Sequence, residues 1–111
     1  MASSIGKAKI RVPKKVKIGD VIEVKALIRH PMETGLRKDK KTGQKVPAHF
    51  IDTVSATFNG ETVLHSTWGA AISQDPMIGF HLKVDGSGPL VITWKDNKGG
   101  VYTSTSQVMA E

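Results

Sequence analysis

Residues 20–30 read DVIEVKALIRH, and this stretch decides the fold. Ile22, Val24, Ala26 and Ile28 fall on alternate positions, with Glu23, Lys25 and Arg29 between them. Successive side chains of a strand point to opposite faces, so this period of two makes one face apolar and the other charged. The same alternation recurs downstream. In 49–58, Phe50, Val54, Ala56 and Phe58 are placed on one face, with Ile51, Thr53, Ser55 and Thr57 opposite. In 78–84, Ile78, Phe80, Leu82 and Val84 share a face, and in 90–95 Leu90, Ile92 and Trp94 do.

Between these runs lie KIGD (17–20), HPMETG (30–35), FNGE (58–61), SQDP (73–76), DGSGP (85–89) and DNKGG (96–100). Turn residues at such regular spacing mark an all-β sandwich or barrel. No segment sustains the i, i+3, i+4, i+7 pattern of an amphipathic helix. Asn59-Gly60 predicts a tight hairpin from 49–58 into 61–66, because a type I′ turn needs positive φ at both central residues. DNKGG predicts a second hairpin, from 90–95 into 101–109. The expectation is about seven strands in a single domain spanning 1–111, a length suited to one core.

Val91, Val101, Tyr102 and Val108 have mixed phase, and Phe50 and Ile51 are adjacent. These residues either fill the ends of the sandwich or make one outer sheet face apolar enough to meet a second protein.

The chain contains no cysteine. That excludes disulfides, thiolate metal ligands and a cysteine nucleophile within it. No run approaches the ~18 apolar residues of a membrane span. The N-terminal MASSIGKAKIRV lacks the apolar core of a secretory signal, which predicts the cytoplasm unless a partner carries the chain across a membrane.

The formal net charge is +6, unevenly spread. Residues 1–20 carry six basic groups against Asp20 alone, and residues 36–45 carry Arg37, Lys38, Lys40, Lys41 and Lys45 against Asp39 alone. The rest holds five basic and eight acidic groups, so two positive patches sit on a mildly acidic body. Such a field speeds encounter with acidic partners without specifying them. Single-strand nucleic-acid binders interleave cations with stacking aromatics. Neither basic patch contains an aromatic residue, so no nucleic-acid partner is expected. A basic β-barrel that binds nucleic acid or another polyanion is the alternative reading.

Four histidines, His30, His49, His65 and His81, raise the question of a metal. None forms an HxH or HExxH pair, and no cysteine helps, so they read as surface or strand-end residues. His30 with Glu33 suggests acid–base chemistry only weakly, since Pro31 and Gly35 explain the segment as a strand end and a turn. No GxSxG elbow is present. No catalytic, cofactor or metal residues are assigned, and the chain is not expected to be an enzyme.

The run HPMETGLRKDKKTGQKVPAHFI closely resembles the SoxZ family of sulfur-oxidation proteins. The likeness extends through VIEVKALIRHP, FNGETV, AISQDP and GPLVITWKDNKGGVYT, in order and over essentially the whole chain. The resemblance implies an immunoglobulin-like β-sandwich that forms a heterodimer with a SoxY-like subunit. That subunit carries the sulfur intermediates of thiosulfate oxidation on a cysteine in a glycine-rich C-terminal arm. It further implies a periplasmic complex, exported by a twin-arginine signal on the partner, with no membrane partner of its own. On this reading the partner surface comprises the turn His30, Pro31, Met32, Glu33, Thr34 and Gly35 together with Phe50 and Ile51. The basic loop of Arg37, Lys38, Lys40, Lys41 and Lys45 is left to dock other enzymes of the pathway transiently.

Overall fold

The structure, a computed structural model, describes residues 5–69 and 71–111. Seven strands form in chain order: β1 (Ala8–Arg11), β2 (Val21–Ile28), β3 (Ile51–Phe58), β4 (Glu61–Thr67), β5 (Met77–Lys83), β6 (Gly88–Asp96) and β7 (Val101–Val108). They pair into an antiparallel three-stranded sheet, β1-β2-β5, and an antiparallel four-stranded sheet, β4-β3-β6-β7. No helix occurs among the described residues. The result is an immunoglobulin-like β-sandwich.

Strand β2 sits at the centre of its sheet and alternates without exception, burying Ile22, Val24, Ala26 and Ile28. Across the core, β3 contributes Val54, Ala56 and Phe58, and β6 contributes Leu90, Ile92 and Trp94. Trp94 is the largest fully buried side chain, although its indole N–H has no hydrogen-bond partner. The Asn59-Gly60 hairpin forms between β3 and β4 with φ of 52° and 83°, the left-handed pair that a type I′ turn demands. The second hairpin joins β6 to β7 through Asn97–Gly100.

One face assignment differs from the sequence reading. Ile51, not Phe50, takes the buried position at the head of β3, and Phe50 stays half-buried outside the strand. The pairing of β3 with β6 shifts register between Ile51 and Thr53. An extra residue there turns two successive positions toward the same side and resets the alternation.

The two outer faces have opposite characters. On the four-stranded sheet, Ser55, Thr93 and Thr103 stand side by side, and the next row runs Thr67, Thr53, Lys95, Val101. Val91 and Val101 point outward here, while Tyr102 and Val108 turn in toward the core. This face is a hydroxyl-rich surface, with Lys95 as the charge in these two rows, rather than an apolar one. The outer face of β1-β2-β5 is basic.

Candidate functional site: a buried carboxylate behind the His-Pro turn

Strand β2 ends at Ile28, and His30-Pro31 follows where the ends of both sheets meet. His30 is held by a reciprocal backbone clamp: its N–H donates to Asp75 Oδ1 at 3.0 Å, and the Asp75 N–H donates to the His30 carbonyl at 2.9 Å. Met32 follows with φ of 50°, a left-handed conformation that is costly for an unbranched side chain with no polar atom to bond its own backbone. Two contacts hold it there. The Met32 N–H donates to His30 Nδ1 at 3.2 Å, and the Ile51 N–H donates to the Met32 sulfur at 3.3 Å. Gly35 (φ 87°) also lies in the left-handed region, and a Cβ there would press on that of Ala48 at 3.2 Å.

Behind the turn lies Asp96, the last residue of β6, with its side chain wholly buried. Five donors surround it. Oδ2 accepts from the Tyr102 hydroxyl at 2.6 Å, His49 Nε2 at 2.8 Å and His30 Nε2 at 3.1 Å. Oδ1 accepts from the backbone N–H groups of Gly100 at 2.7 Å and Lys98 at 3.0 Å. Gly100 leaves room for this arrangement, because a Cβ at that position would collide with the Tyr102 hydroxyl and the Asp96 carboxylate. The His30 and His49 rings meet edge-on with centroids 4.4 Å apart. Asn97 completes the junction by donating to the Ala48 carbonyl at 2.9 Å and accepting the Phe50 N–H at 2.8 Å.

The electrostatics follow from this packing. Burial pushes the Asp96 carboxyl upward, but hydrogen bonds from Tyr102, His30, Gly100 and His49 together outweigh it and hold the group well below the usual carboxylate range. Burial lowers His30, and its hydrogen bond to Asp96 recovers only part of the loss, so the ring is neutral near pH 7. Burial, then the hydrogen bond to Asp96 and the Asp96 charge, push Tyr102 up to about 12.

His30, His49 and Asp96 match the composition of a two-histidine, one-carboxylate metal site, and their donor atoms lie within 4.8 Å of one another. The hydrogen-bond pattern at His30 opposes that use. His30 Nδ1 accepts the Met32 N–H, so its proton sits on Nε2, and both Nε2 atoms aim at the carboxylate. A ligand nitrogen must offer a lone pair to the ion. The arrangement therefore fits a hydrogen-bonded post rather than a cation. It pins the His-Pro turn, the segment entering β3 and the β6–β7 hairpin to one another.

The loop beyond the turn is a short ribbon. Glu33 and His49 exchange backbone hydrogen bonds of 2.6 and 2.9 Å, and Lys38 bridges to Lys45. Arg37 grips Glu33 through Nε and Nη2, at 2.9–3.1 Å, which draws the Glu33 carboxyl down. Glu33 thus serves Arg37 and not His30. Lys38, Lys40, Lys41 and Lys45 are exposed, with no ion-pair partner among the described residues.

Of the turn residues read as a partner surface, His30, Met32 and Ile51 are buried and present no surface; they brace the turn from behind. Thr34 is exposed, and Pro31, Glu33, Gly35 and Phe50 are half-buried. His65 and His81 are surface residues, as the sequence implies, whereas His30 and His49 belong to the buried cluster. In the sequence, Asp96 and Tyr102 stand only as parts of a turn and a strand. The contacts of Asp96 span 66 and 47 residues to the two histidines, beyond the reach of any local motif.

The sequence matches the family described as sulphur oxidation protein SoxZ over residues 10–107. The chain belongs to the SoxZ family. That membership places it in sulfur oxidation. No curated protein matches it. Among solved structures, a variant of the superoxide reductase (neelaredoxin) from Ignicoccus hospitalis is similar at 20% identity and TM-score 0.76, covering 98% of this chain and 83% of that one. The sulfur carrier protein SoxY from Chlorobium limicola f thiosulfatophilum is similar at 13% identity and TM-score 0.63, covering 93% of this chain and 74% of its own. At such identities both likenesses establish the shared fold alone.

Proposed function

We propose that this SoxZ-family chain is the non-catalytic half of a heterodimeric sulfur carrier, bound to a SoxY-like subunit whose arm cysteine holds the sulfur covalently. One observation carries the reading: a chain matched to SoxZ over residues 10–107 has no thiol in its 111 residues. A thiolate is the nucleophile that takes up and releases sulfane sulfur. A cysteine-free companion neither competes for the cargo nor cross-links to the arm.

The surface assigned to the partner is the hydroxyl-rich outer face of β4-β3-β6-β7, continued by Thr34 and the exposed parts of Pro31 and Phe50. Charged residues are depleted at interface centres because their desolvation is poorly repaid. Of this chain's two sheet faces, only this one is nearly free of charge. A standard interface buries about 1,600 Å² in total. The Asp96 post keeps the turn in a fixed shape before the partner arrives, so less ordering is paid on binding. The lysines of 36–45 steer the carrier toward pathway enzymes, and the complex works in the periplasm, exported with its partner.

The test is to mix the purified chain with a SoxY-like subunit and follow size-exclusion elution and hydrogen exchange. Co-elution as a heterodimer, with protection on Ser55, Thr93 and Thr103, is expected. Separate elution would remove the reading. A charge-reversed 36–45 loop should slow docking of pathway enzymes at low salt and lose that penalty at high salt.

A further inference from the structure

The outer face of β1-β2-β5 is left unused by the carrier reading, and it has a definite pattern. Strand register sets Lys9, Leu27 and Met77 side by side in one row, and Arg11, Lys25 and Gly79 in the next. Leu27 is 43% exposed and Met77 65% exposed, an apolar pair directly opposed in the sheet. Lys7 and Arg29 close the row toward the turn, joined by a 2.9 Å backbone hydrogen bond.

Two adjoining shallow grooves share Lys9 and Leu27. One, of about 470 Å³, is completed by Lys7, Ala8 and Arg29; the other, of about 380 Å³, by Arg11, Lys25, Ala26 and Met77. The cations are a net cost to the free fold. Like charges directly opposite in a sheet repel, and Arg11 faces Lys25, where Glu23, 3.5 Å from Lys25, is the one ion-pair partner of either among the described residues. Gly79 is not demanded by its backbone: its φ is ordinary, and a Cβ would meet only the Val24 carbonyl at a comfortable 3.8 Å. Its missing side chain leaves the floor beside Lys25 open.

We infer that this face is a docking groove for an extended acidic segment of another protein, with carboxylates on alternate residues and one apolar side chain between them. The spacing fits. Lys9 and Arg11 on β1, and Lys7 just before it, recur every second residue about 7 Å apart, which is also the same-face repeat of an extended peptide. The apolar side chain of the segment rests on Leu27 and Met77, and its carboxylates meet the cations on either side. Nucleic acid is the poorer match, because a single strand needs aromatic platforms and no Phe, Tyr or Trp points outward along these rows.

The test titrates the full ¹⁵N-labelled chain with the synthetic peptide acetyl-Glu-Thr-Leu-Thr-Glu-Thr-Glu-amide, with its Glu-to-Gln counterpart, and with oligothymidylate. It needs no SoxY-like subunit, so its outcome is separate from that of the carrier reading. Saturable amide shifts confined to 7–11, 25–29 and 77–79 are expected, and they weaken as salt rises. Lys9→Glu weakens binding about tenfold, Lys9→Gln about threefold and Leu27→Ser about fivefold, each with an otherwise unchanged spectrum. Lys40→Glu changes it less than about twofold. The inference is overturned by absence of saturable shifts, by equal binding of the Gln peptide, by shifts centred on 36–45, or by tighter binding of oligothymidylate to the same amides.

Discussion

Replacing Asp96 by Asn changes one oxygen to an NH₂ group and tests the buried post directly. If the remaining oxygen keeps the Gly100 and Lys98 N–H groups, the new amide faces three donors: His30 Nε2, His49 Nε2 and the Tyr102 hydroxyl. Tyr102 can rotate its proton away. His30 cannot readily shift its own, because Nδ1 already accepts the Met32 N–H. Three hydrogen bonds to a charged acceptor are lost, and at least one buried donor is left unpaired. Removing one partner of a buried ionic cluster costs about 3–5 kcal/mol. For a domain of this size that is a fall in Tm of roughly 10–20 °C. Urea unfolding of wild type and Asp96→Asn at pH 7 measures it, with exposed Asp85→Asn as the control. The pH dependence adds a second check. The folded Asp96 titrates below its unfolded value of ~3.9, so its stabilisation is present above that value and is lost as the pH falls further. The gap between wild type and variant should therefore narrow as the pH drops through about 4 and below. A variant within ~1 kcal/mol of wild type at pH 7 would refute the caged-carboxylate reading.

Gly100→Ala should cost about 2–4 kcal/mol in the same assay, because the added methyl displaces either Tyr102 or Asp96. Tyr102→Phe should cost about 1–3 kcal/mol near neutral pH. Because the folded Tyr102 is raised to about 12, its contribution is complete below its unfolded value and is lost as the pH rises through the folded one. Alkaline destabilisation between about pH 10 and 12 should accordingly be weaker in Tyr102→Phe than in wild type. Arg37→Ala should leave stability nearly unchanged despite its bidentate contact, since the guanidinium is largely solvent-exposed and water screens the pair. Thermal melts of these variants rank the buried post against the surface pair.

The strands were legible because burial on one face writes a period of two, and β2 keeps it without interruption. Asn59-Gly60 was legible because few residue pairs tolerate two successive positive φ values. Phe50 and Ile51 misled for the converse reason: a bulge is a property of the pairing with β6 and leaves no mark in the composition of β3. The site was half legible. HPMETG announced a turn, and its two special backbone positions, Met32 and Gly35, lie inside it. Its support did not show, since Asp96 sits in a DNKGG string that already reads as a plain hairpin. The pairing of Asp96 with His30, His49 and Tyr102 exists only once both sheets have closed. The basic groove was likewise hidden. Lys9 and Arg11 belong to the basic patch of residues 1–20, but Lys25 lies outside it in the chain and joins them only once β1 and β2 are placed side by side.

The division of labour between a thiol-bearing arm and a thiol-free sandwich is tested most directly by intact-mass spectrometry of both chains after thiosulfate turnover of the assembled pair. The predicted result is a sulfur adduct on the SoxY-like chain and an unmodified mass for this one. An adduct on this chain, or a pair that never assembles, would contradict it.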